Sequence, residues 1–290
     1  MSDAPGADDE AADRTPAETA QLALLLEVAG TPKPGNVDRR RDLGDLRFEH
    51  FLAGAVGAGE GLRMAAAGAP VGRAFERAVD GMARQRGGNT QFGCLLLLVP
   101  LVAARAAGDL SPAGVAAVVA DTTVEDAADF YRAFEHVDVA VPDPGDEEIA
   151  ALDVRRGADA IPAVREREVT LADVMELSAE RDGNAREWAG GFERTFGAAE
   201  AMLADEGPAP DRVARAFLEL LAEEPDSLVE TRHGARTAEH VRERAAAVAG
   251  DLEAAETLAE DLAAEGINPG TTADVTAAAT YVALERGLPV

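Results

Sequence analysis

The chain has 290 residues, 47% of them apolar, and a formal net charge of −27 at pH 7. That length allows one large domain or two, and so acidic a chain excludes a nonspecific DNA or anionic-membrane surface, which needs clustered cations. A single cysteine, Cys94, excludes an internal disulfide and a thiolate zinc cluster.

The acidic residues run along the whole length, and arginine almost wholly replaces lysine: Lys33 is the only lysine. A solvated, lysine-poor acidic surface fits a soluble protein of a high-salt cytoplasm, where salt screens the self-repulsion. The N-terminus has no charged-then-apolar signal pattern. The most apolar stretch, 94–107, is too short to span a bilayer and reads as a buried helix. With aromatics at only 4%, the core is expected to be Ala/Leu/Val helix packing, with Cys94 as a small buried hydrophobe in it.

Residues 1–14 read as a disordered acidic tail, leaving 15–290 as one all-α domain. Thr15-Pro16-Ala17-Glu18 is a helix start with a capping box, and that helix stops near Gly30. Glu27 stands in its last turn, the unfavourable end of the dipole for an anion. Pro32-Lys33-Pro34-Gly35-Asn36-Val37-Asp38 follows, with Arg39, Arg40 and Arg41. Two prolines hold the backbone extended around Lys33, and Gly35 allows close backbone approach. Such a loop suits a polyphosphate, although a solvated basic loop would look the same.

Helical patterns run over 48–67 and 71–86. Gly87-Gly88-Asn89-Thr90 breaks the pattern, and an apolar helix over 91–107 resumes it. A Gly-rich turn feeding a helix N-terminus is a standard anion site; Asn89 or Thr90 serves equally as a plain N-cap. Ser111 and Thr123 cap the next two helices, the second carrying Asp126, Asp129 and Tyr131. The Pro- and Asp-rich region 137–169 reads as a long irregular connection with a short helix near 147–152. Thr170 caps a helix to about 180, and 184–205 is a further run containing Trp188. Helices are then expected over 211–224, 233–249, 252–265 and, after the Gly266-to-Gly270 turn, from Thr271 or Thr272 to Glu285. No stretch alternates as a strand does, so the fold class is all-α.

The four histidines show no ligand spacing for zinc, and there is no nucleophile elbow, Walker loop or dinucleotide-binding glycine loop. A polyphosphate site must then be assembled from helix ends, Lys33, arginines and carboxylates with a divalent metal. For Mg²⁺, Asp38, Asp121, Asp126, Asp182 and Asp274 are candidates by position. Any one of them is more simply a solvated surface acid, and Asp274 also suits the dipole of the last helix. The chain has only four asparagines, and Asn36, Asn89 and Asn268 all sit in Gly-containing loops. Each alone is a turn residue; three together, with the lone lysine in one of them, point to a site.

Several stretches resemble the triphosphoribosyl-dephospho-CoA synthase family. They are Glu27 with Pro32 to Asp38; Asn89-Thr90 before an apolar helix; Asp126-Ala127 with Tyr131; Pro225-Asp226-Ser227-Leu228 with Arg232 and Gly234; and Asn268-Pro269-Gly270-Thr271-Thr272-Ala273-Asp274. The match runs from about residue 20 to 285. Two departures set this chain apart from the citrate-lyase branch and resemble a divergent archaeal type. Gln91-Phe92-Gly93 stands where His-Lys-Gly is typical, and the final motif is not Gly-Gly-Ser-Ala-Asp.

The resemblance implies an all-α enzyme that moves the triphosphoribosyl group of ATP to the 2′-hydroxyl of 3′-dephospho-CoA and releases adenine. It implies Asp274 or Glu27 as the base, and Mg²⁺ with ATP, with Asp38 and Asp126 as metal ligands. Lys33, Gly35, Asn36, Asn89, Thr90, Asp226, Ser227, Arg232, Asn268, Gly270 and Thr271 are the expected substrate contacts. Two other readings stay open: a related ribosyl transferase with a different acceptor, and a non-catalytic helical nucleotide-binding protein. Partners are expected to be small-molecule substrates and no nucleic acid or membrane, with a homo-oligomer left open.

Overall fold

Helical spacing in the sequence becomes helix in the structure, a computed structural model that describes residues 14–142 and 150–290. The first half holds α1 (Pro16–Ala29), α2 (Phe48–Gly57), α3 (Gly59–Ala66), α4 (Val71–Met82), α5 (Phe92–Ala106), α6 (Pro112–Ala120) and α7 (Val124–Ala133). Two 3₁₀ turns, Ala150–Leu152 and Val154–Ala160, lead into α8 (Ile161–Glu166) and α9 (Leu171–Ser178). The second half holds α10 (Gly183–Ala189), α11 (Glu193–Ala204), α12 (Ala209–Glu223), α13 (Ser227–His233), α14 (Ala235–Val248), α15 (Leu252–Glu265) and α16 (Gly270–Glu285). Among the described residues there is no strand, only the isolated bridges Asp38–Arg41 and Leu43–Leu46. The acidic tail expected over 1–14 lies, except for Arg14, outside the described residues.

The caps read from sequence are present. Thr15, Thr123 and Thr170 each close a capping box, and Ser111 accepts from the Gly114 amide. Tertiary packing breaks two runs that periodicity joins. The 48–67 run divides where Gly57 meets α4: a Cβ on Gly57 would lie 2.1 Å from the Gly81 carbonyl oxygen. The 184–205 run divides at Gly190-Gly191-Phe192, where Phe192 takes a left-handed backbone (φ 63°) with its ring fully buried. A bulky residue there is disfavoured, and burial of the ring offsets that strain. The α13 helix is too short to show periodicity and rests on Asp226, which caps the Leu228 and Val229 amides.

The element that organises the rest is α16, which is buried from Thr271 to Ala283 except at Asp274 and packs against α1, α5, α11 and α12. Its small Ala and Thr side chains let neighbours approach, while Thr276 and Thr280 return their hydroxyls to carbonyls one turn back. Helices α12 to α15 close a second cluster around Phe217, Leu221, Val241 and Leu262. Phe75, Phe92, Phe130 and Phe134 form an aromatic knot joining α4, α5 and α7. This scaffold brings the start of α16 against the starts of α5 and α10.

Candidate active site

Three loops far apart in sequence meet beside the start of α16. Asn36 donates from Nδ2 to the Pro269 carbonyl at 3.0 Å, pinning the first loop to the last. Gly35 has φ +74°, and a Cβ there would lie 2.2 Å from the Ile267 carbonyl oxygen, so the contact admits only glycine. Asn36, Asn89, Thr90, Asn268, Gly270, Thr271 and Asp274 all line one cavity of about 240 Å³. Glu27, Ser227 and Arg232 line it too. The loop convergence expected from sequence is therefore present.

Asp274, one turn into α16, stands in the cavity wall. It accepts from the Cys94 thiol at 3.1 Å on one oxygen and from Asn184 Nδ2 at 2.8 Å on the other. Burial pushes its carboxyl up to about 7; those two hydrogen bonds oppose the rise, and the nearby Glu27 and Asp226 charges add to it. The approach is tight: a Cβ on Gly93 would lie 2.0 Å from Asp274 Oδ2 and 2.5 Å from Asn184 Nδ2. Burial, followed by the Asp274 and Glu27 charges, holds the Cys94 thiol protonated, well above its ordinary range, so it serves as a donor.

Glu27 is 1% exposed and forms a buried ion pair with Lys33, whose side chain is fully buried. Burial raises the Glu27 carboxyl, and the Lys33 ammonium pulls it back. This resolves the misfit of an acid at the end of α1: Lys33 supplies the compensating charge. The sequence reading of Lys33 as a phosphate contact is corrected accordingly. Its ammonium does not reach the cavity, because a buried carboxylate needs its counter-ion more than a solvated phosphate does.

Four other expected site residues also prove structural. Gly35 packs loop on loop and is not in the cavity wall. Asp38 accepts from the amides of Lys33, Arg40 and Arg41 and pairs with the Arg41 guanidinium. Asp126 accepts from the Gly72 amide and from the Thr123 amide and hydroxyl. Asp226 caps α13 and accepts from the Thr272 amide and hydroxyl, joining α13 to α16. With their oxygens taken, Asp38 and Asp126 do not fit a metal ion, and neither lines the cavity. Among the described residues no group of three or more His, Cys, Asp or Glu side chains is placed to hold one.

Sequence reasoning passed over Gly93, Cys94, Arg181 and Asn184, all in the cavity wall. Asn184 carried a signal as one of only four asparagines, and it follows the cap residue Asp182. Cys94, read as a hydrophobe, is also the second ligand of Asp274. Arg181 and Arg232 stand at the cavity without a carboxylate partner among the described residues, whereas most arginines of this chain are paired with acids. The opposite wall is apolar, built from Phe130, Phe134, Val139, Leu152 and Met175. Three cavity oxygens are buried and unpartnered: Thr90 Oγ1, Asn184 Oδ1 and Asn268 Oδ1.

Comparison with known proteins bears on the fold and the family. A solved structure from Archaeoglobus fulgidus, provisionally described as a triphosphoribosyl-dephospho-CoA synthase, superposes with a TM-score of 0.68 at 27% identity. The match covers 82% of this chain and 100% of that one. No curated protein matches the chain. Residues 13–289 match the family described as ATP:dephospho-CoA triphosphoribosyl transferase. With the match spanning nearly its whole length, the chain belongs to the ATP:dephospho-CoA triphosphoribosyl transferase family.

Proposed function

We propose that Asp274 is the general base of a transfer in which the triphosphoribosyl group of ATP passes to the 2′-hydroxyl of 3′-dephospho-CoA. The bond from C1′ to the adenine nitrogen breaks with its electron pair leaving on adenine. The acceptor oxygen forms the new bond to C1′, its proton passes to Asp274, and adenine takes up a proton as it departs. A β-linked donor giving an α-linked product is an inversion and needs one displacement. C1′ then carries oxocarbenium character, as in glycoside hydrolysis. The observation that carries this reading is the Asp274 carboxylate, held by Cys94 and Asn184 where three loops converge and pushed up to about 7 by desolvation. A base with that affinity takes a proton in the transition state and gives it up afterwards.

The other groups divide by chemistry. Arg232 and Arg181 supply the cations for the triphosphate, replacing Lys33 in that role. The start of α5, beside Asn89-Thr90, adds a helix N-terminus, whereas at the start of α16 the Gly270 and Thr272 amides are already engaged. Asn36, Asn268 and Thr90 orient ribose or base. Glu27, fixed by Lys33, faces the developing positive charge at C1′ and raises the proton affinity of Asp274. Magnesium belongs with the phosphates of ATP, and no step here is assigned to it.

Product analysis by mass spectrometry tests the proposal directly. With ATP and 3′-dephospho-CoA at high salt, free adenine and a triphosphoribosyl adduct of the acceptor should accumulate together. Adenine without an adduct would exclude this acceptor, and ATP binding without adenine would exclude the transferase. Arg232→Gln should raise KM for ATP more than it lowers kcat.

A further inference from the structure

Among the described residues, Asn184 both touches the base and carries an unused acceptor in the cavity wall. It lies at the start of α10, is 7% exposed, and commits its Nδ2 to Asp274 at 2.8 Å. Asn184 lines the cavity, and with its amide nitrogen so engaged Oδ1 is left as a pure acceptor in that wall, buried and without a partner. A buried unpaired oxygen costs about 1–3 kcal/mol, so its presence beside the reacting carboxylate implies a donor arriving with substrate. The backbone below is fixed: the Gly183 amide donates to Ser227 Oγ, and a Cβ on Gly183 would lie 2.7 Å from Thr271 Cγ2. The hydrogen bond to Asp274 then sets the direction of the Asn184 side chain on that backbone.

Asp274 and Asn184 Oδ1 thus form two adjacent acceptors joined by one hydrogen bond, the complement of two hydroxyls on neighbouring carbons. We infer that Asn184 Oδ1 accepts the 3′-hydroxyl of the acceptor ribose while Asp274 takes the proton of the vicinal 2′-hydroxyl, making Asn184 the residue that selects a 3′-dephosphorylated acceptor. This rests on the transfer proposed above. A 3′-phosphate offers only oxygens, with roughly −1.5 to −2 charges. It would bring that charge against an acceptor oxygen and the Asp274 carboxylate, so the same pair that recognises the diol rejects the phosphorylated coenzyme. A second diol exists on the ribose of ATP, and the test separates the two.

Initial rates of adenine release are measured for the wild-type protein with 3′-dephospho-CoA and with the analogue lacking its 3′-hydroxyl. The expected result is a fall in kcat/KM of at least about tenfold for the analogue, the size set by leaving a buried acceptor unpaired. Asn184→Ala, slower with both because Asp274 loses a donor, should turn over the two acceptors within about twofold of each other. The acceptor ratio, rather than the rate, is the readout. Equal rates for the two acceptors in the wild-type protein overturn the proposal without needing a variant. So does a wild-type ratio retained in Asn184→Ala, or discrimination that appears with 3′-deoxy-ATP as donor and not with the acceptor analogue. In those cases adenine release with 3′-dephospho-CoA continues and the transferase reading stands; absence of any adenine release overturns both.

Discussion

Replacing Asp274 by asparagine separates the catalytic account from the electrostatic one, because the variant keeps shape and removes charge. The new carboxamide oxygen can still accept from Cys94, and Asn184 can turn its amide to accept from the new nitrogen, its own Nδ2 then taking the place of the unpartnered Oδ1. An aspartate at 3.8 in the unfolded chain and about 7 in the folded one binds its proton more tightly when folded. Its contribution to stability is fully present below pH 3.8 and is lost as pH rises through about 7. Between pH 5 and pH 8 the loss is about 2.5 kcal/mol, at ~1.36 kcal/mol per pH unit. For a chain of this size that is roughly 5–10 °C in Tm. Thermal melts of both proteins at the two pH values should therefore show Asp274→Asn gaining that much on the wild type at pH 8 relative to pH 5. Glu27, Asp182 and Asp226 are also raised by burial, but they are common to both proteins and cancel to first order. The same group governs turnover: wild-type kcat/KM should fall about tenfold per pH unit below 7 and level off above it, and the variant should lose about 10²-fold or more. A Tm difference that stays constant from pH 5 to pH 8 within about 1 °C refutes the buried ionisation. Retained turnover in a folded variant refutes the base assignment.

Three further outcomes follow from other contacts. Lys33→Met strands Glu27 in the core and should destabilise the fold by about 3–5 kcal/mol in urea denaturation. Adding Glu27→Gln should recover most of that loss, whereas a phosphate-binding lysine would show a raised KM for ATP and unchanged stability. Gly93→Ala drives a methyl into Asp274 and Asn184, so turnover should drop at least about tenfold while circular dichroism stays helical; normal kinetics would show that the cleft is looser than the geometry implies. A chain with net charge −27 should gain Tm steadily as KCl is raised toward molar concentrations, through screening of self-repulsion, and a Tm insensitive to salt would remove the high-salt reading of its composition.

What the sequence determined by itself was the material of the fold and of the loops. Helical periodicity, the threonine caps at 15, 123 and 170 and the absence of alternation are local properties, and local physics decides them. The motif asparagines could be read as well, because a chain with only four of them makes their placement in Gly-containing loops visible. The direction in which a charged side chain points was not legible. Lys33, Asp38, Asp126 and Asp226 look like ligand-binding groups in sequence and become buried structural partners. Asp126 and Asp226 also find partners distant in sequence, Gly72 and Thr272, whereas Lys33 and Asp38 pair within a few residues, in a loop whose burial only the packed chain supplies. Conversely, Cys94 and Asn184 looked ordinary until α16 was packed between α5 and α10, which brought a carboxylate 180 residues from one and 90 from the other into hydrogen-bond reach. The affinity of Asp274 for its proton comes from that burial. Desolvation belongs to the packed chain, and only the tertiary structure could decide which of 54 acidic residues it would act upon.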